Sequence, residues 1–117
     1  MDEQEFKGRT KRLALGVIDT VQGLPRSEAA HVIGRQLIRS ATSVGANYRS
    51  ACRGKSTADV LAKLAIVEEE ADETIYWLEL LVEAKIVAEK NVAELLRQTD
   101  EIVAMTVASI KTLRGRR

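Results

Sequence analysis

The chain is predicted to be all-α, an antiparallel up-down-up-down four-helix bundle, and three observations predict it. Apolar residues recur at steps of three and four along four stretches of about 20 to 28 residues. The connections between these stretches are short, which makes consecutive helices antiparallel neighbours. Aromatics are only 3% of the chain and there is one proline, Pro25, so aliphatic and alanine side chains must fill the core. That composition suits helices and disfavours a multi-stranded sheet. At 117 residues, positions 1–117 make one four-helix-bundle domain by size. A chain of this length buries about 65% of its unfolded surface, enough for a single core.

The first helix is expected over about residues 3 to 22, with Phe6, Leu13, Val17 and Val21 as its stripe. Gly23-Leu24-Pro25-Arg26 ends it. The second is expected over about 27 to 53, with Ser27 as N-cap and Ile33, Leu37, Ala41, Val44, Tyr48 and Ala51 facing inward. Gly54-Lys55-Ser56 is the clearest boundary. Gly54 suits a left-handed residue after a helix end, and Ser56 with Asp59 resembles a capping box.

The third helix is expected over about 57 to 84, with Val60, Leu64, Val67, Ala71, Ile75, Leu78 and Val82 as its stripe. The fourth follows over about 89 to 114, with Val92, Leu96, Thr99, Val103, Thr106, Ile110 and Leu113. The break between them, Ala84 to Lys90, has neither Gly nor Pro. A change in stripe phase, and the improbability of a helix over fifty residues long, place it there. Leu15, Ile18, Ile66, Leu81, Leu95, Ile102 and Met105 widen the apolar faces and suggest a second burial surface, hence self-association.

The net charge of +1 implies no partner, but its distribution is uneven. Residues 1–63 carry 11 Lys/Arg against 6 Asp/Glu, and residues 64–117 carry 7 against 11. Either oppositely charged helices lie side by side, or a basic face is presented to an anionic partner. The single cysteine, Cys52, forms no internal disulfide, in keeping with a reducing compartment. The acidic Met-Asp-Glu-Gln-Glu start is unlike a signal peptide, and no apolar run reaches membrane-spanning length, so a cytoplasmic location away from any membrane is expected.

Residues 39 to 50, Arg-Ser-Ala-Thr-Ser-Val-Gly-Ala-Asn-Tyr-Arg-Ser, stand out within the second helix. Gly45 there costs roughly 1 kcal/mol relative to alanine. Ser40, Thr42, Ser43 and Asn47 add nothing to helix propensity. Such residues are expected where another backbone approaches closely or where a polar contact is buried around Asn47.

Together with Ala51, Ser56, Lys63, Ile66 and the run Glu70-Ala71-x-Glu73-Thr74-x-Tyr76-Trp77-Leu78-x-Leu80-Leu81, this segment resembles a known family. It is the bacterial four-helix-bundle family of proteins encoded within intervening sequences of 23S ribosomal RNA genes. The chain is similar also to the accessory variability protein of diversity-generating retroelements. The resemblance spans about residues 6 to 113. It implies a ring-like homo-oligomer, a pentamer; for the retroelement relative it implies a basic surface that binds nucleic acid and a reverse transcriptase. For most members it implies no established activity. The chain departs from the family pattern at Ser50, where many members carry Glu, and at Glu68, Glu69 and Asp72, which make its third helix more acidic.

Arg35, Arg39, Arg49 and Arg53 fall within about 80° of one another on the second helix, a stripe about 27 Å long. Lys55 extends it, and Lys7, Lys11 and Arg12 make a basic side on the first helix. Arg35, Arg39, Arg49, Arg53, Lys55, Lys7 and Lys11 are therefore the candidate contacts to RNA or DNA phosphates. The alternative is a salt-bridged face, paired with third-helix carboxylates of a neighbouring subunit in a purely protein-binding oligomer. Exposed rings do not interleave with these cations, so contact by phosphates and shape is expected over base stacking.

Glu70 and Glu73 are one turn apart and are expected to accept hydrogen bonds from Asn47 or an arginine in a structural polar network. A di-metal bundle site needs Glu-x-x-His pairs, and the only histidine, His31, has no glutamate three residues before it. Cys52, His31, Thr42 and Ser43 have no partners that would make a nucleophile or base. No phosphate-cradling glycine loop or zinc spacing occurs. The expectation is a non-enzymatic adaptor without metal or cofactor, ending in a frayed basic Leu-Arg-Gly-Arg-Arg tail.

Overall fold

The computed structural model describes residues 2–116. Four helices follow one another, α1 (Glu3–Gln22), α2 (Glu28–Cys52), α3 (Thr57–Glu83) and α4 (Glu89–Gly115). Each packs against its two neighbours, and α1 meets α4 to close a rod of 48 × 21 × 21 Å. This is the expected all-α, up-down-up-down bundle. Helix α4 runs on through Gly115, so Arg114 is helical rather than frayed; Arg117 lies outside the described residues.

Side chains start three of the helices. Asp2, Ser27 and Ser56 accept from the backbone N–H of Glu5, Ala30 and Asp59 at 2.7, 3.1 and 3.1 Å, satisfying amides with no intrahelical partner. The reciprocal arm at α3 is displaced by one residue: Asp59 Oδ2 accepts from the Lys55 N–H at 3.0 Å. That bond, followed by the Lys63 ammonium 3.1 Å away, holds the Asp59 carboxyl below its usual range.

The two helix ends that bracket α3 invert the expected glycine chemistry. Gly54 does not adopt positive φ; Lys85 does, at 62°. In the α3–α4 connection Lys85 N–H donates to Val82 O at 2.9 Å and Ile86 N–H to Leu81 O at 2.9 Å. This paired closure is a Schellman motif with lysine in the left-handed position, and Ile86 packs back on the core. Gly54 is needed for space instead. A Cβ there would stand 2.3 Å from Val60 Cγ2 and 3.1 Å from the Ala51 carbonyl oxygen.

The core contains Phe6, Leu13, Val17, Leu37, Val44, Val67, Leu78, Val92 and Ile102, all 0–1% exposed. On α3 Leu64, Val67, Ala71 and Leu78 are buried as expected, and the stripe differs from expectation at the remaining three positions. Leu61, Thr74 and Leu81 are buried, while Val60, Ile75 and Val82 are half-buried. On α4 Leu95 and Ile102 replace Leu96 and Val103 in the same way. Leu81, Leu95 and Ile102 therefore belong to this core and not to a second surface. Leu15, Val32, Ile66 and Tyr76 are the large apolar side chains left exposed among the described residues.

Between α2 and α3, Thr74 Oγ1 donates to Ser40 Oγ at 2.9 Å, and Ser40 donates to the Leu37 carbonyl at 3.2 Å. Both hydroxyls are buried, and no buried side-chain polar atom among the described residues lacks a partner. At Gly45 a Cβ would come within 3.1 Å of Thr10 Oγ1, so the glycine admits α1 close to α2.

Candidate nucleic-acid interface

The cations of α2 divide between two neighbouring helices. Arg39 turns to α3. Its Nη1 donates to Glu70 Oε2 at 3.0 Å, its Nη2 donates to Glu73 Oε2, and its Nε donates to Gln36 Oε1 at 3.3 Å. Trp77 Nε1 donates to the same Glu73 oxygen at 2.9 Å. The indole bond, then Arg39, holds the Glu73 carboxyl below its usual range, and the Glu73 bond raises the Arg39 guanidinium. Arg39 is thus engaged within its own chain, and the continuous four-guanidinium track along α2 is interrupted.

Asn47 takes no part in that network. Its Nδ2 donates to the Ser43 carbonyl of its own helix at 2.9 Å, and Arg39 is what joins Glu70 to Glu73. An asparagine amide reaches the preceding turn of its own helix, whereas the longer arginine spans to the next one.

Arg49, about 80° round α2 from Arg39, is on the side of α2 that faces α1. It lines an open groove with Gln4, Lys7, Gly8 and Lys11, and no carboxylate lines that groove. Lys7 Nζ is 3.0 Å from Glu3, one turn below. Arg12 stands at the edge of this group, its Nη1 3.3 Å from where a Gly8 Cβ would be, and also lines a separate groove with Arg9, Glu94 and Arg97. The i, i+4 spacing of Gly8 and Arg12 is the sequence signal for this approach.

The remaining candidates sit at the two ends. Arg53 caps α2, and Lys55 stands in the α2–α3 turn, both exposed. Arg35 lies near the α1–α2 connection, in a groove with Leu24, Pro25, Ser27 and His31. The structure therefore brings Lys7, Lys11 and Arg49 together, with Arg12, and leaves Arg35 and the Arg53–Lys55 pair as separate flanks. Arg9 lies on the other side of α1, bound to Glu5 and Glu101.

Cys52 is half-buried at the same end of α2. Burial pushes its thiol up, with the Glu3 carboxylate adding to the effect, which favours thiol over the reactive thiolate. Tyr48 stacks on Phe6 at 4.2 Å between ring centroids and is not offered to a base. No group of three or more metal-ligating side chains occurs among the described residues.

Residues 3–108 match the family model described as 23S rRNA-intervening sequence protein. The chain belongs to this family. A solved family structure, a protein of unknown function from the S23 ribosomal protein family of Bacteroides thetaiotaomicron VPI-5482, is 32% identical. Its TM-score is 0.88, over 95% of this chain and 99% of that one. No curated protein matches. The match includes the Arg39–Ser50 segment and both acidic residues that hold Arg39, so the family region includes the α2–α3 seam. No described helix is long and apolar enough to cross a membrane.

Proposed function

We propose that this 23S rRNA-intervening sequence family protein is a non-enzymatic, cytoplasmic, oligomeric adaptor that binds structured RNA through its α1–α2 face. The observation that carries the reading is the groove of Lys7, Lys11 and Arg49, flanked by Arg12, with no carboxylate in its lining. Lys7 is paired with Glu3, but Lys11, Arg12 and Arg49 make no ion pair among the described residues and keep their charge available to phosphates. Contacts of this kind position a duplex without reading bases. Arg53 and Lys55 extend the field at one end and Arg35 at the other. Resemblance to ring-forming relatives supports a homo-oligomer, with five subunits as the expected number.

The rival reading is a purely structural oligomer in which the arginine stripe pairs with third-helix carboxylates of a neighbour. Arg39 already holds Glu70 and Glu73 of its own chain, which removes the centre of that pairing. A gel-shift titration with an RNA hairpin tests the proposal. Binding should weaken steeply as salt rises, and the slope should shrink in Lys11→Glu/Arg49→Glu. Absence of binding at low salt overturns it. Light scattering gives the subunit number.

A further inference from the structure

The outward side of α3 combines exposed apolar side chains with carboxylates. Ile66, Glu69, Glu73, Tyr76, Leu80 and Glu83 follow one another at steps of 3, 4, 3, 4 and 3, so they form a single stripe along the helix. It lies roughly opposite the buried stripe of Val67, Ala71 and Leu78. Two of the exposed large apolar side chains of the described chain are on it, Ile66 at 40% and Tyr76 at 55%. Leu80 is half-buried between them and the helix end.

Charge sets this stripe apart from an ordinary solvated face. Glu69, Asp72 and Glu83 are exposed and make no ion pair among the described residues. Glu73 is fixed by Arg39 and Trp77, and Trp77 meets Tyr76 edge-on with centroids 4.9 Å apart. The aromatic pair and its carboxylate are therefore held in place before anything binds, which lowers the ordering cost of association.

We propose that this stripe docks a cationic amphipathic helix of a partner protein. The period of the stripe, near 3.5, matches a helix laid alongside it. Ile66 to Leu80 spans about 21 Å, the length of about 14 helical residues. Apolar side chains at steps of three and four would meet Ile66, Tyr76 and Leu80, and Lys or Arg on the flanks would meet Glu69, Asp72 and Glu83. Nucleic acid and anionic lipid are excluded by the same carboxylates. The site is independent of the α1–α2 cations, and together the two faces give an adaptor one port for an anion and one for a cation.

The test uses the full chain and a 14-residue helical peptide with leucine at 3–4 spacing and lysine on its flanks. The control is the same peptide with glutamate in place of lysine. Trp77 is the single tryptophan, so its fluorescence reports binding at the stripe, and amide shifts map it. The lysine peptide should bind about tenfold tighter than the glutamate peptide, with shifts centred on Ile66–Glu83. Glu69→Lys/Asp72→Lys should reverse that preference, Tyr76→Ser should weaken both peptides, and Glu89→Lys/Asp100→Lys on α4 should change neither. Equal binding of the two peptides, or shifts centred elsewhere, overturns the proposal. A fall in the mass of the assembly on Glu69→Lys/Asp72→Lys also overturns it, because the stripe would then be a contact between copies of this chain.

Discussion

Arg39 of α2 and Glu73 of α3 are joined across the helix seam, and Trp77 donates to the same carboxylate oxygen. The most conspicuous arginine of the central segment is thereby a structural residue of its own chain. Arg39→Ala should cost about 0.5–1 kcal/mol, since the side chain is half exposed and such pairs are screened by water. Arg39→Glu should cost roughly 2 kcal/mol, because it sets a third carboxylate beside Glu70 and Glu73. Urea denaturation followed by Trp77 fluorescence measures both. Neither change should lower RNA affinity as much as Arg49→Ala.

Acid should loosen this seam. The folded-state pKa of Glu73 is below its unfolded value, so its contribution is fully present above the unfolded carboxylate range, about 4.3. It is lost as pH falls through the lowered folded value. Glu73→Gln should therefore flatten the acid limb of the stability profile and leave the region above pH 6 with a constant offset, seen in urea midpoints from pH 7 to 3.

Lys85 pays a left-handed cost of about 1–2 kcal/mol that glycine would not. Glycine loses about 0.4–1 kcal/mol through the unfolded chain. The first effect is larger, so Lys85→Gly should raise stability by about 0.5–1 kcal/mol in urea denaturation, with no change in RNA binding.

Gly54→Ala should go the other way. A methyl 2.3 Å from Val60 Cγ2 forces Val60 or the α2–α3 turn to shift, at a cost of about 1–3 kcal/mol. Thermal unfolding would show it. A second substitution, Val60→Ala, should recover part of the loss by making room for the methyl.

The four helices were legible from residue spacing because helix formation and termination are local. Ser27 and Ser56 cap the helices whose starts they mark, and Gly45 does admit a neighbouring helix. The inward side of α3 and α4 was legible at Leu64, Val67, Ala71, Leu78, Val92, Thr99, Thr106 and Ile110, but which of two adjacent apolar residues fills the positions between them was not. On α3 and α4 neighbouring apolar residues compete, and the choice of Leu81, Leu95 and Ile102 rests on packing against the adjacent helices. Nor could spacing divide the α2 cations. Arg35, Arg39, Arg49 and Arg53 share a stripe by angle, but α1 lies on one side of it and carboxylates of α3 on the other.

Sequence alone determined the class of fold, the helix ends to within a residue or two, and an excess of positive charge in the first half of the chain. Tertiary structure decided which charges remain available. Arg39 is neutralised by Glu70 and Glu73, while Arg49 joins Lys7 and Lys11. The reason is range: helix propensity and capping act over three or four residues, whereas the pairing of Arg39 with carboxylates 31 and 34 positions away exists only once α2 and α3 lie side by side.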